Sequence, residues 1–542
     1  MKFQWVLGLV ALVTFLAMGV ARAQETTPPV LPPEGMVPPP TAGEAPQPTG
    51  EVGLGEDESL LGSRLLEERV NQVFSLQQVT MLTLQNNLQV KINRINPHLS
   101  EADIETAEAV FDTTLSGAIR GSHQESPTFT DFAGLVSSDV DAVQASVGLK
   151  KQFTTGATGS VSLSGANSES EDSRPSLDSN LAFSVTQPLL QGAGRDVNLA
   201  DVHIAQNNTR ISRWEFKNRV ISTLADSQTT YWSLVFALEN LEVQKKSWRL
   251  SKNTLAQTRA QVEAGLLAKI EITRVRADVA SKEERIITAQ RVVQDAEDQL
   301  RRFINEEGSK LTEDIGIVPL DRATYTPVVL DLSQEIATAL ANRPDYVQAK
   351  IDIENRDIIL VVAGNVKLPQ LDLTATFDIN GLGHNLPDSL SALSDVEFTD
   401  WSASASLSYP LGNRAANASY LRARLNKVQS LLRLKNLEDQ IVIDVKQAVR
   451  LVNTDLKRIP STRLARELAE ERLVAEEAKL NVGTAIILDV LDAQTRLAEA
   501  QSAERRAIVD YNQDLIQLEK VKGTLLGANR IYLPEESQRA GR

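Results

Sequence analysis

The chain has no cysteine among its 542 residues, which excludes a disulfide-stapled secreted fold, a thiolate metal site and a lipid-anchored N-terminus. Histidine is scarce. His98, His123, His203 and His384 stand apart, without the His-Glu-x-x-His spacing that brings two imidazoles onto one helix face. Gly192-Ala193-Gly194 lacks the third glycine and the parallel-strand setting of a dinucleotide loop. With no assembled set of nucleophile, acid and base, the chain reads as no enzyme, with no cofactor and no metal site. Long apolar runs are missing as well. Past residue 23 no segment reaches about eighteen consecutive apolar residues, so a hydrophobic membrane helix is excluded and any spanning form has to be a β-barrel. Positive charge is in deficit: the formal net charge is −15, or −17 once Lys2 and Arg22 leave with a leader, which argues against nucleic acid as a partner.

What is present starts with the plan of a secretory signal peptide: Lys2, an apolar run from Trp5 to Val20, and Ala21-Arg22-Ala23, with cleavage expected after Ala23. The run is short of the ~20 residues of a bilayer span and is interrupted by Gly8 and Gly19. Nine prolines between Thr26 and Gly50 accompany hardly any apolar cluster, so no core can be buried there. Residues 24–73 are expected to be a Pro-rich flexible linker and N-terminal segment.

The remainder is written twice. Ser75-Leu76-Gln77-Gln78 opens a helix toward Asn86, and Asp331-Leu332-Ser333-Gln334 opens one toward Asn342, each with an N-cap residue and Gln three positions on. Thr186-Gln187-Pro188-Leu189 returns as Ser408-Tyr409-Pro410-Leu411. Val262-Glu263-Ala264-Gly265 followed by Glu271 returns as Leu480-Asn481-Val482-Gly483 followed by Asp489. Offsets above about two hundred residues mark a duplicated domain rather than a solenoid. The first repeat is placed at 74–329, the second at 330–526, and a tail at 527–542.

Within each copy the hydrophobic period changes. Leu371, Leu373, Ala375, Phe377 and Ile379 alternate with Asp372, Thr374, Thr376 and Asp378, and Trp401 to Tyr409 alternates with serines, so each strand has one apolar and one polar face. The first copy repeats this less cleanly at 111–121 and 181–186. A soluble sandwich also alternates. The flanking helices are far too long for one, and strands of ~10 residues with two unlike faces suit a water-filled barrel in lipid. An added pair, 143–153 and 157–166 around Thr155-Gly156, either enters that wall or projects from it. Between Val197 and Gly265 there is neither proline nor glycine, which predicts a rod of about 100 Å. Its counterpart runs from about Ala415 to Val482, with a break expected at Pro460. After Gly265, residues Ile272, Val275, Val279, Ile286, Ala289, Val293, Ala296, Leu300 and Phe303 form a heptad seam with Lys282 filling one position.

These features resemble the TolC family of outer-membrane efflux proteins over nearly all of 74–526. The resemblance rests on the duplication, on Thr186-Gln187-Pro188-Leu189-Leu190 with Gly192-Ala193-Gly194-Arg195, and on Asn481-Val482-Gly483-Thr484 leading into Leu488-Asp489-Val490-Leu491-Asp492-Ala493. It implies a mainly α fold with membrane β, in which a homotrimer shares one transmembrane β-barrel and builds a long α-helical periplasmic tunnel. Four strands per subunit would close as twelve. It further implies an outer-membrane exit duct of a tripartite efflux or type I secretion system, served by a periplasmic adaptor and an inner-membrane efflux pump or ABC exporter, with outer-membrane lipid around the wall. The adaptor is expected to dock on the turns at Gly265, Leu266, Val482, Gly483 and Thr484, while Pro188 and Pro410 mark the strand-to-helix passage. Asp489 and Asp492, three residues apart, share a helix face and with Glu271 are the candidate periplasmic gate, where crowded carboxylates would favour cations and raise one another's pKa. Leu480 and Ala485 stand where the family can carry a tyrosine and an arginine that tie the gate shut. That leaves Lys269 or Arg274 with an acid as an alternative lock. A periplasmic coiled-coil adaptor or structural protein without a channel is the competing reading.

Overall fold

The structure, a computed structural model, describes residues 71–130, 134–170, 173–305 and 316–532. The expected signal peptide, nearly all of the Pro-rich segment and the end of the tail lie outside the described residues. In chain order come β1 Asn71–Phe74, α1 Leu76–Asn86, α2 Leu88–Glu108, β2 Thr114–Thr130, β3 Gly134–Gln152, β4 Thr158–Ser170, β5 Ser173–Pro188, α3 Ala200–Glu263 and α4 Lys269–Ile304. They are followed by β6 Gly316–Pro319, α5 Leu332–Asn342, α6 Pro344–Asn365, β7 Gln370–Gly383, α7 Leu386–Ser394, β8 Phe398–Ser408, α8 Arg414–Asn481 and α9 Ile487–Lys522. The chain divides into a sheet unit, containing Glu108–Leu199 and Asn365–Asn413, and a helical unit of Arg69–Ala107, Ala200–Gly364 and Arg414–Arg542.

The sheet has six antiparallel strands in the order β2-β3-β4-β5-β7-β8, which replaces the expected four strands per subunit by including the added pair. The pair β3 and β4 pairs on both sides, with β2 and with β5. Directly paired residues share a face, so side chains line up in rows across the sheet. One row reads Leu115, Leu149, Val161, Phe183, Phe377, Trp401, and all six side chains are exposed. Phe183 and Phe377 meet there at 6.4 Å between ring centroids. The neighbouring row on the opposite face reads Thr114, Lys150, Ser160, Ser184, Thr376, Ser402, and Thr376 and Ser402 hydrogen-bond at 2.8 Å. Gly381 and Gly383 admit α7 against β7, since a Cβ at either would fall 2.3 or 2.4 Å from the backbone of Ser389.

In the helical unit, α1 opens on a reciprocal cap. The Ser75 Oγ accepts from Gln78 N at 3.2 Å, and Gln78 Oε1 accepts from Ser75 N at 2.8 Å. The helices α3 and α8 run for 64 and 68 residues, about 96 and 102 Å at ~1.5 Å per residue. The buried stripe of α4 is Val275, Lys282, Ile286, Ala289, Val293, Glu297, Leu300 and Ile304. It leaves the expected seam at its C-terminal end, with Glu297 and Ile304 taking the buried places expected for Ala296 and Phe303. The cause is local: Glu297 Oε1 accepts from Ile317 N at 3.1 Å and so ties α4 to β6.

The break expected at Pro460 is also corrected, because α8 is continuous from Arg414 to Asn481. Hydroxyls just beyond the proline bond the preceding turn, Ser461 to Lys457 O at 3.3 Å and Thr462 to Arg458 O at 3.1 Å. Val452 and Ile459, which precede the proline, are fully buried, so packing holds the helix where one backbone bond is lost.

Near that turn Asp455 and Arg458 of α8 face Asp510 and Asp514 of α9, with Arg458 Nη1 at 3.3 Å from Asp455 and 3.0 Å from Asp510. Burial, a hydrogen bond that protonated Asp514 donates to the Asp455 carboxylate, and the charges of Asp455 and Asp510 push the Asp514 carboxyl up to about 7, against the pull of Arg458. Folding therefore raises its proton affinity. The stabilisation is complete below the unfolded pKa near ~4 and is lost as pH rises through about 7. We expect the thermal midpoint of the helical signal to fall more between pH ~5 and ~8 in the native protein than in Asp514→Asn, by roughly 2 °C or more. Parallel pH profiles of the two proteins would refute this.

Candidate functional site

The two helical hairpins α3/α4 and α8/α9 turn in the same way. Gly265 has φ +77° and Gly483 has φ +78°. At the first turn Leu266 N bonds Gln261 O at 2.8 Å and Gly265 N bonds Val262 O at 3.0 Å; at the second, Thr484 N bonds Lys479 O at 2.9 Å and Gly483 N bonds Leu480 O at 3.1 Å. This is a Schellman ending in each copy, and its left-handed position is why glycine recurs in both repeats. The turns present aliphatic side chains to solvent, with Leu266 at 75% and Val482 at 74% exposure. Behind them Leu255 and Val275 of the first hairpin pack with Ile487 and Leu491 of the second, and Leu480 joins this cluster. Leu480, which stands where a gate tyrosine was expected, is thus an apolar contact between the hairpins.

The three candidate acids do different things. Asp489 lies in the first turn of α9, where its Oδ2 accepts from Ile486 N at 3.2 Å, and it has no ion-pair partner among the described residues. Glu271 occupies the matching turn of α4, pairs with Arg274 at 2.7 Å, and keeps a buried Oε2 with no hydrogen-bond partner among the described residues. Asp492 is held by Arg472 of α8 at 3.1 Å and Arg496 at 2.9 Å. Helix dipole and arginines thus account for much of this charge within one copy. Of the proposed alternative locks, Arg274 forms its pair within α4, while the bridge between two helices is Arg472 to Asp492.

Sequence reasoning placed Lys282 in the seam but missed its partners. Its Nζ donates to Ser251 Oγ at 2.6 Å and lies 3.0 Å from Asp278. Gln494 of α9 donates to Thr254 Oγ1 at 3.0 Å and its Oε1 lies 3.4 Å from Ser251 Oγ. Burial lowers the pKa of Lys282, and Asp278 opposes the shift. The polar residues Ser251, Thr254 and Gln494 at buried positions of long helices were the available signal.

In the sheet unit, Pro188 ends β5. Beyond it Gly192, φ +80°, donates its N–H to Asn365 Oδ1 at 2.7 Å, and Asn198 Nδ2 reaches Gly192 O at 2.8 Å. After Pro410 the second copy repeats the device with Gly412 at φ +89° and Asn413 Nδ2 on Lys367 O at 3.0 Å. Both markers therefore terminate a strand and turn the chain with a left-handed glycine and an anchoring asparagine.

A match to the family described as outer membrane efflux protein covers residues 134–306 and 336–524. The chain is 26% identical to the outer membrane protein TolC of Vibrio cholerae serotype O1 over 298 residues, 54% of this chain and 66% of that one. It is 23% identical to TolC of Escherichia coli K12 over 310 residues, 56% and 61% of the two chains. The chain thus spans just under two thirds of the length of these relatives. In fold it is similar to the CmeC outer membrane channel of Campylobacter jejuni, with a TM-score of 0.61 at 14% identity over 83% of this chain and 86% of that one.

Nothing lies within 4 Å of a Cβ built on Gly265 or Gly483, so only backbone strain opposes a side chain there. Gly483→Ala is expected to cost about 1 kcal/mol and to speed amide exchange at 482–484 while leaving the helical content intact. Unaltered exchange at that turn would contradict the assignment.

Proposed function

The chain belongs to the outer membrane efflux protein family, a family of channels rather than enzymes, and from that premise we propose that it is the passive outer-membrane exit duct of a tripartite efflux or type I secretion system, working as a homotrimer. An inner-membrane pump or ABC exporter supplies the energy, and a periplasmic adaptor links the pump to the hairpin turns, where Leu266 and Val482 offer apolar knobs. The observation that carries the reading is a pair of unpartnered helix stripes of one period. Leu88, Ile92, Ile95 and Leu99 on α2, and Leu421, Leu425, Val428 and Leu432 on α8, step by four, three and four residues and are all exposed in the single chain. Such seams bury themselves in a neighbouring helix, and a second copy brings one stripe to meet the other. The sheet supports the same reading, since β2 and β8 are open edges and open edges are not tolerated in lipid. A soluble coiled-coil adaptor would have no use for an exposed apolar row on a sheet.

Because the chain has no cysteine, cross-links can be read without background. Ile95→Cys and Val428→Cys chains produced together should give disulfide dimers in the outer-membrane fraction, and either variant alone should not. A soluble or inner-membrane pool without mixed dimers would overturn the assembly. At the gate, three copies bring Asp489 toward the axis. Asp489→Asn should lower cation preference, read as reversal potential in a planar bilayer, more than Asp492→Asn does, because two arginines already neutralise Asp492. Equal reversal potentials in all three proteins would remove Asp489 from the gate.

A further inference from the structure

We infer that three copies close an eighteen-strand wall, in which β3 and β4 are staves and the seam joins β8 of one copy to β2 of the next. The inference rests on the trimeric channel reading and goes beyond it by fixing the strand number and the width of the passage.

Three observations carry it. First, β3 and β4 are hydrogen-bonded into the middle of the sheet, from Thr114 with Lys150 through Lys150 with Ser160 to Ser160 with Ser184. A projecting hairpin would leave β2 beside β5. Second, the two strands continue both faces of the wall without a break. Leu149 and Val161 stand in the exposed apolar row between Leu115 and Phe183. Val147 and Leu163 pair in the next row of that face, which continues through Leu181 to Ile379. Lys150, Ser160, Ser162 and Ser164 fall on the polar face, set there by the period of two. A hairpin standing in water would have no reason to keep Leu149 and Val161 exposed on the face that carries Phe377 and Trp401. Third, six is an even number, so β8 runs antiparallel to β2 and the seam between copies has the sense of every other pairing in the sheet.

Strand number sets width. With strands ~4.8 Å apart and tilted by ~40°, twelve strands give a backbone diameter of about 24 Å and eighteen give about 36 Å, roughly doubling the cross-section. The second hairpin of the first repeat thus converts a narrow wall into one of porin strand number. Only the barrel is widened, because the insertion lies wholly between β2 and β5.

The chain also supplies its own control. Deleting 134–170 leaves five residues, Asp131-Phe132-Ala133-Glu171-Asp172, between β2 and β5, a length common in hairpin loops. The up-and-down order of the strands is kept. Electron cryomicroscopy of the full chain in lipid nanodiscs should count eighteen strands, and the deletion variant should count twelve in a barrel of about two-thirds the diameter. If the deleted chain fails to assemble, the full chain still decides through labelling with a membrane-impermeant maleimide. Lys150→Cys and Ser160→Cys should react from the lumen, whereas Leu149→Cys and Val161→Cys, against lipid, should not. A membrane trimer with twelve strands, or equal labelling at all four positions, overturns this inference and leaves the channel reading standing. Absence of any membrane-embedded trimer overturns the channel reading itself.

Discussion

Every backbone N–H and C=O placed in hydrocarbon needs a partner, and a sheet with two free edges cannot supply one for all of them. That constraint organises the sheet unit. It demands closure, one face for lipid and one for water, and a neighbour for β2 and β8. The exposed row from Leu115 to Trp401 follows from the same demand. In water it would be a liability, since contiguous apolar patches of this kind drive association. In lipid it is the lowest-energy surface available. The exposed stripes on α2 and α8 repeat the logic in the helical unit, where the proposed assembly closes a seam left open in one chain with the next.

The helical unit solves a different problem. A helix of about a hundred ångströms is stable only if something packs along it, and α3 and α8 obtain this from α4, α9 and the shorter helices of each repeat. The two hairpins are joined twice, by aliphatic contacts around Val275 and Ile487 and by the buried Gln494, which reaches Thr254 and Ser251 of the other hairpin. Aliphatic surfaces tolerate sliding, whereas the 3.0 Å hydrogen bond from Gln494 to Thr254 across the two hairpins does not. The polar group therefore fixes the register between the repeats, a role for which buried polar residues are best attested.

How much of this was legible in the sequence depended on whether the signal was local. The duplication, the glycine turns, the Ser75 cap and the alternation in β7 and β8 are written in consecutive residues, and each has a local cause in φ, in capping or in period. The place of β3 and β4 was not legible, because alternation names the two faces of a strand and never its neighbour. The pairing of Asp492 with Arg472 was hidden for the same reason, since Arg472 lies on another helix, whereas Arg496 at i+4 was in local reach. Pro460 misled in the opposite direction. A local rule predicted a break, and packing around Ile459 overrode it.

The paired acids at the turns show how a duplicated sequence diverges by single methylene groups. Glu271 and Asp489 sit at the same place in their repeats, each in the first turn of the returning helix. The aspartate is short enough to fold back onto Ile486 N and serve as a cap. The glutamate, one methylene longer, turns along the helix to Arg274 and buries its second oxygen unsatisfied. A buried carboxylate oxygen without a donor costs on the order of 1–3 kcal/mol, a cost the capped aspartate avoids.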